Sequence, residues 1–198
     1  MFKIAIDGYM GSGKSTLAKG LAEKLGKEFK VLDTGAIFRA IAYAYSVSFG
    51  NEVTEDRAKE LVSTKTIEVR FVGDEQNVFV NQENVTPFLR TENISQMASK
   101  ISVFPAVRAK YLEIAKGFAS RNNVIMEGRD IGTVVMPDAN VKIFLTADEN
   151  VRAKRRFDEA KARGQKVKFK EILKDLKERD KRDTTRAVAP LKPMKGSI

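Results

Sequence analysis

Apolar positions at the start of the chain run together before they spread out. Phe2 to Asp7 is apolar apart from Lys3 and the closing Asp7; Gly8, Gly11 and Gly13 interrupt, and Leu17, Ala18, Leu21, Ala22 and Leu25 return at helical intervals. This predicts a strand, a glycine loop and a helix. Gly26 ends that helix, Phe29 to Asp33 predicts a second short strand, and Thr34 is placed to cap a helix through Ile37, Phe38, Ile41, Ala42 and Tyr45. Val124 to Glu127 and Val141 to Thr146 are continuous apolar runs of the kind buried on both faces of a parallel sheet, and a charged helical stretch follows from Asp148. Between these halves Ile67, Val69 and Phe71 alternate with polar residues, Gly73-Asp74 offers a turn, and Val78 and Val80 alternate again, which predicts an antiparallel insert. Helices over about 91–101 and 106–120, separated at Pro105, lead back to the sheet. About 151–170 is dense in Lys and Arg around Gly164 and reads as a mobile charged segment between helices. The expectation is an α/β fold, a central parallel sheet flanked by helices.

Composition narrows the chemistry. A length of 198 residues predicts one domain with an insertion, and no apolar run is long enough to span a bilayer. The acidic residue and glycine at Asp7-Gly8 leave no room for a secretory apolar stretch, so a cytoplasmic protein is expected. With neither cysteine nor histidine, disulfides, thiol nucleophiles, imidazole bases and zinc sites are excluded, and any metal must be a hard cation held by oxygen. The net charge of +10 is local: residues 1–150 carry 19 basic and 19 acidic side chains, residues 151–198 carry 17 and 7. That asymmetry calls for an anionic partner near the C-terminal end.

Gly8-Tyr9-Met10-Gly11-Ser12-Gly13-Lys14-Ser15 fits G-x-x-x-x-G-K-S/T and lies where a phosphate-binding loop must, between a strand and a helix. Residues Gly8 through Thr16 then form the donor-nucleotide site: backbone N–H groups turn inward around phosphate oxygens, Lys14 reaches the β and γ phosphates, and the Ser15 hydroxyl can ligate Mg²⁺. The plainer alternative, a turn that merely joins strand to helix, leaves Lys14 and Ser15 unexplained. No N-K-x-D base-reading motif of a GTPase is present, and an ATP-driven motor is usually longer, so a small-molecule kinase fits best.

Three further stretches are polar without structural need: Leu32-Asp33-Thr34-Gly35 with Arg39, Glu127 to Thr133, and Arg179 to Arg186. Ligands of open parallel sheets gather beyond the carboxyl ends of the strands, so Asp33, Arg129 and Asp130 should face the crevice of the glycine loop. These residues carry a resemblance. Asp-Thr-Gly-Ala-Ile-Phe-Arg at 33–39, Glu-Gly-Arg-Asp-Ile-Gly-Thr-Val-Val at 127–135 and Arg-Ala-Val-Ala-Pro-Leu at 186–191 resemble the bacterial cytidylate kinase family, from residue 3 to the end. The resemblance implies a P-loop NTPase fold with a nucleoside-monophosphate-binding insert and an arginine-bearing lid, and transfer of the ATP γ-phosphate to CMP or dCMP. Boundaries follow as a kinase core of 1–64 and 120–198, a lid at about 151–170, and an insert of 65–119.

By that resemblance Thr34, Phe38, Arg39, Ser99, Arg108, Arg129, Asp130, Arg179, Asp183 and Arg186 fall on acceptor-contacting positions, with Arg39, Arg129 and Arg186 favoured for its phosphate. Their chemistry suits a nucleotide, since guanidinium groups match phosphate, and carboxylates and hydroxyls can read ribose and the cytosine amine. Taken singly, Arg39 and Arg108 also read as surface ion pairs, and the basic run from Arg152 as a solvated helix face. Arg152 and Arg156, four apart, point one way and would cover the ATP phosphates from the lid. Lys14, Arg129, Arg152 and Arg156 are the expected catalytic cations, and Asp33 is a candidate for the acceptor or for Mg²⁺-bound water, with a helix N-terminal charge as its alternative.

The sequence departs from the family pattern at Tyr9, where proline is usual, at Phe38, where tyrosine is common, and after Ile198, where another strand and helix normally follow. A missing sheet edge is therefore expected. Rival readings are another acceptor such as UMP, AMP or shikimate, a P-loop protein binding RNA through its basic end, and a remnant that binds ATP without turnover. The first expectation remains a monomer acting on small nucleotides, without nucleic acid or membrane.

Overall fold

The computed structural model describes residues 1–162 and 164–198. Four strands, β1 (Lys3–Gly8), β2 (Phe29–Asp33), β6 (Asn123–Gly128) and β7 (Val141–Leu145), form a parallel sheet in the order β2-β6-β1-β7. Val124, Ile125 and Met126 of β6 are fully buried, which is why that strand reads as an unbroken apolar run. Register places Asp33 opposite Glu127 and Asp7 opposite Gly128, so three carboxylates lie at the carboxyl ends of neighbouring strands, Asp33 and Glu127 on one face and Asp7 on the other. Helix α1 (Lys14–Leu25) packs through Leu17, Ala18 and Leu21 on Ile4, Ile6 and Ile125.

On the other face α2 (Thr34–Phe49) lies against a hydrophobic cluster that continues into α3 (Glu55–Thr64), α4 (Glu92–Ile101) and α5 (Pro105–Ala119). Strands β3 (Ile67–Val72), β4 (Glu75–Val80) and the short β5 (Glu83–Asn84) make the antiparallel sheet, with Gly73 in its turn at φ +63°. Pro105 opens α5 as its first residue, where a missing N–H is harmless.

Two expectations need correction, and one helix is new. Thr34 does not cap α2: Asp33 precedes the helix, and the Thr34 hydroxyl instead donates to Glu127 O at 2.8 Å, stitching the helix start to β6. Helix α3 went unforeseen, because only Ala58 and Leu61 of it are fully buried and its apolar period is too short to read. The charged helical stretch expected from Asp148 is α6 (Glu149–Ala162), which takes up most of the segment read as lying between helices; α7 runs Phe169–Thr185, and Phe157, Phe169, Ile172 and Leu176 give this pair its own apolar seam with Met10. Arg163, within the expected lid range, lies outside the described residues. The free side of β7 is met by Ile198, whose N–H donates to Lys142 O at 3.0 Å and whose carbonyl accepts from Phe144 N–H at 2.9 Å. Among the described residues no helix is long and apolar enough to cross a membrane.

Candidate active site

The glycine loop joins β1 to α1 with Gly11 at φ +74° and Gly13 at φ +101°, conformations that side chains resist. Gly8 has a different reason: a Cβ there would lie 2.0 Å from Leu145 O, so the close approach of β7 requires glycine. The Lys14 ammonium donates to Gly8 O at 3.0 Å and Tyr9 O at 2.7 Å. Burial, reinforced by Arg129, pushes Lys14 well below the usual lysine range, against the pull of Glu127 and Asp7.

The loop opens into a cleft of about 220 Å³ at the carboxyl end of the sheet. Six cationic side chains line it: Lys14 from α1, Arg39 from α2, Arg129 from the loop after β6, Arg156 from α6, and Arg179 and Arg186 from α7 and its end. Arg39 pairs with Asp33 at 2.6 Å, and Arg129 Nε donates to Asp183 at 2.9 Å. Arg186 Nε donates to Ala189 O at 2.7 Å and its Nη2 lies 3.7 Å from Asp130. Among the described residues, Arg39 Nε, Arg179 Nε and Arg186 Nη2 are three guanidinium nitrogens buried without a hydrogen-bond partner. Burial and the neighbouring Arg129 push Arg179 down to about 10. Buried donors that lack acceptors, gathered around one cleft, fit a ligand with several anionic oxygens.

The carboxylates respond to this field. Burial raises Asp183, but Arg129, Arg179 and Arg186 more than reverse it, and its carboxyl lies below the ordinary range. Asp33 behaves likewise, burial being outweighed by Arg39. Glu127 is pushed up by burial and by Asp33, with the Ser15 hydroxyl and Lys14 opposing. Ser15, Glu127 and Asp33 offer only oxygen, the donor set for a hard cation that keeps waters and shares phosphate oxygens. Mg²⁺ fits that set, although among the described residues no three carboxylates form a ready cage. Asp7, fully buried, accepts from the N–H of Ile131 at 2.8 Å and of Gly132 at 2.9 Å, and so holds the loop that bears Arg129 and Asp130.

Most residues singled out in the sequence meet here. Met10, Gly11, Lys14, Ser15, Asp33, Thr34, Phe38, Arg39, Ser99, Arg129, Asp130, Arg156, Arg179, Asp183 and Arg186 line the cleft. Gly8, Tyr9, Ser12, Gly13 and Thr16 lie outside its lining, as do Arg108 and Arg152. Arg108 forms a buried ion pair with Asp130 behind the cleft. Arg152 is engaged as a strut: Nε donates to Ala147 O at 2.9 Å, and Nη1 to Met10 O at 3.1 Å and Asp180 at 2.6 Å. It does not cover the cleft in this structure, whereas Arg156 faces it while paired with Glu92 of α4. Arg155, not singled out in the sequence, donates to Ser12 O at 3.3 Å. Glu127, Ser95 and Ser102 also line the cleft without having been singled out as site residues; for Glu127 the signal was a carboxylate ending a strand beside Asp33.

A family model described as cytidylate kinase matches residues 4–198. The chain belongs to the cytidylate kinase family. It is 41% identical over 197 residues to the cytidylate kinase of Carboxydothermus hydrogenoformans, covering 99% of this chain and 87% of that one. To the cytidylate kinase of Haemophilus ducreyi it is 44% identical over 200 residues, covering 100% and 87%. Among solved structures, the shikimate kinase of Acinetobacter baumannii is similar at 16% identity, covering 100% of this chain and 86% of that one, with a TM-score of 0.40.

Two departures from the cytidylate kinase pattern now have physical settings. Tyr9 stands edge-on to Phe144, ring centroids 6.0 Å apart, with the Arg152 guanidinium 5.0 Å over its ring, so side-chain packing braces the loop where proline would stiffen it. Phe38 lies 4.4 Å from the Tyr111 ring. Its missing hydroxyl leaves an apolar contact on the cleft side, and the buried Tyr111 hydroxyl behind it has Thr34 beside it but, among the described residues, no well-formed hydrogen bond.

Proposed function

We propose that the protein transfers the γ-phosphate of ATP to CMP or dCMP, giving ADP and CDP or dCDP. The observation that carries this reading is the convergence of Arg39, Arg129, Arg179 and Arg186 on the cleft into which Lys14 and Ser15 open, with three buried guanidinium nitrogens awaiting acceptors. One side of the cleft then takes the donor triphosphate and the other the acceptor phosphate. Phosphoryl transfer asks for alignment and charge neutralisation more than for covalent help, and a chain without histidine or cysteine supplies that. Lys14 neutralises the β and γ oxygens, Arg129 and Arg156 bear on the transferred group, and Arg39 and Arg186 hold the acceptor phosphate. In this reading Ser99, Asp130 and Asp183 accept from the cytosine amine and ribose hydroxyls. Ser15, with Glu127 and Asp33 beside it, would hold Mg²⁺, which when bound would supply Lewis-acid neutralisation of the phosphate oxygens. The same reading makes the protein a cytoplasmic monomer working on free nucleotides.

The test is ADP formation with ATP and Mg²⁺ against CMP, dCMP, UMP, AMP, shikimate and no acceptor, with Arg129→Ala beside the unaltered protein. ADP should form chiefly with the cytidine nucleotides and fall by about 10²-fold or more in the variant, the loss expected when a preorganised charge is removed from the reacting centre. Acceptor-independent ADP, or none, sinks the proposal.

A further inference from the structure

Asp33 is the last residue of β2, and β2 is the outer strand of the parallel sheet. Its backbone would have no strand to pair with on that side. The partner it finds is a side chain from the insert: Gln76 of β4 accepts from Asp33 N–H through Oε1 at 2.8 Å and donates to Asp33 O through Nε2 at 3.1 Å. One amide thus does for Asp33 what a peptide group of a neighbouring strand would do. The outcome reaches the cleft in a single further step. The Asp33 carboxylate holds Arg39 Nη2 at 2.6 Å, and both side chains line the cleft. Room around this pair is tight, since a Cβ on Gly35 would lie 3.0 Å from both Asp33 Oδ1 and Arg39 Nη1. A small displacement of the Asp33 backbone therefore moves Arg39.

We infer that Gln76 is a positioning residue of the acceptor side: through the two hydrogen bonds to the Asp33 backbone it sets the Asp33–Arg39 pair, and so the guanidinium offered to the acceptor phosphate. The inference rests on the proposed kinase reading and deepens it. It separates Gln76 from the second tie between insert and sheet, Lys30 to Asp74 at 3.0 Å, which is exposed and touches no cleft residue.

Gln76→Met keeps length and loses both hydrogen bonds; Gln76→Glu keeps the acceptor and loses the donor. Steady-state kinetics with each substrate varied, CMP titration calorimetry, and thermal unfolding would be measured for both. The expected result is a rise of roughly tenfold in the KM and Kd for CMP with Gln76→Met, the size of one misplaced charge-assisted hydrogen bond, and a smaller rise with Gln76→Glu. The KM for ATP should move clearly less, by no more than the part Asp33 has in holding Mg²⁺-bound water. In an Arg39→Met background, Gln76→Met should add nothing further to the CMP defect, because its route to the substrate is gone. Unchanged CMP binding, an equal shift in the KM for ATP, or full additivity with Arg39→Met would overturn the inference and leave Gln76 a plain staple. If Gln76→Met is too unstable to assay, Gln76→Glu decides by the same criteria. An unaltered protein that ignores CMP removes the kinase reading and this inference together; a normal CMP kinase with an unmoved Gln76→Met removes the inference alone.

Discussion

Two buried residues near the cleft show how much a side chain's surroundings matter. Among the described residues the fully buried Tyr111 hydroxyl makes no well-formed hydrogen bond, the Thr34 hydroxyl beside it being given to Glu127 O, and burial, with Asp130 nearby, pushes it well above the usual tyrosine range while Thr34 pulls the other way. Removing a buried hydroxyl that has no well-formed hydrogen bond while keeping the ring should be neutral or stabilising by about 1 kcal/mol, so Tyr111→Phe is expected to unfold in urea at the same or a higher midpoint. A loss of about 1 kcal/mol or more would mean that the hydroxyl is bonded in solution. Asp7 behaves in the opposite way, since both its oxygens are used and yet burial raises its carboxyl to about 6, against the two backbone N–H groups that favour the charge. The folded protein binds this proton more tightly than the unfolded chain. Its contribution is therefore fully present below about pH 4 and is lost as pH rises through 6, a change of about 3 kcal/mol across that range. Urea unfolding of the unaltered protein and of Asp7→Asn across about pH 4 to 7 should show the unaltered protein losing ground to the variant as pH rises. Parallel curves would mean that Asp7 titrates normally.

At the scale of elements, similar residues part company. Gly8 and Gly20 both stand in the β1–α1 unit, but a Cβ on Gly8 would meet Leu145 O at 2.0 Å, while nothing lies within 4 Å of one on Gly20 in mid-helix. Gly8→Ala must push β1 from β7 and is expected to destabilise by at least about 3 kcal/mol, whereas Gly20→Ala should stabilise by about 0.5–1 kcal/mol through helix propensity. Urea midpoints of the two variants moving in the same direction would refute this contrast. The motif identified Gly8 as a loop glycine, and only the neighbouring strand shows what it is for. The four parallel strands and the P-loop were legible because each is local: an apolar run, a break, a helical period. Helix α3 was not, since it buries few residues, and the charged helix from Asp148 was legible in its start but not in its extent, because the apolar seam of α6 and α7 is sparse among lysines and arginines. Site residues were legible where a type was odd for its element, as with Arg129 and Asp130 in a tight turn. Gln76 and Asp7 were not, because a polar residue on an alternating strand and an acid at a strand end look ordinary until the facing backbone is known.

For the whole molecule the excess positive charge is spatial rather than merely C-terminal. Helices α6 and α7 carry Arg156, Arg179 and Arg186 back over the sheet, where they join Arg39 and Arg129 from earlier in the chain, so a locally basic sequence becomes one anion-directed cleft. The same helices reach across its mouth. Arg156 pairs with Glu92, and Arg182 donates to Ser99 Oγ at 2.7 Å, both contacts joining them to α4. If Arg156 serves the donor phosphates as proposed, Glu92 competes with them for it. The pair is about half exposed on the Glu92 side, and exposed ion pairs are worth about 0.2–1 kcal/mol, so the competition amounts to a factor of about 1.4 to 5 in affinity. Glu92→Gln should therefore lower the KM for ATP by up to about fivefold while leaving the KM for CMP within about twofold, provided Arg156 serves the donor phosphates. Raising salt should erase the difference, because screening weakens the exposed pair that the variant has already lost. A KM for ATP that is unchanged or higher in Glu92→Gln at low salt would show that Arg156 holds the two helices together and takes no part in binding the donor.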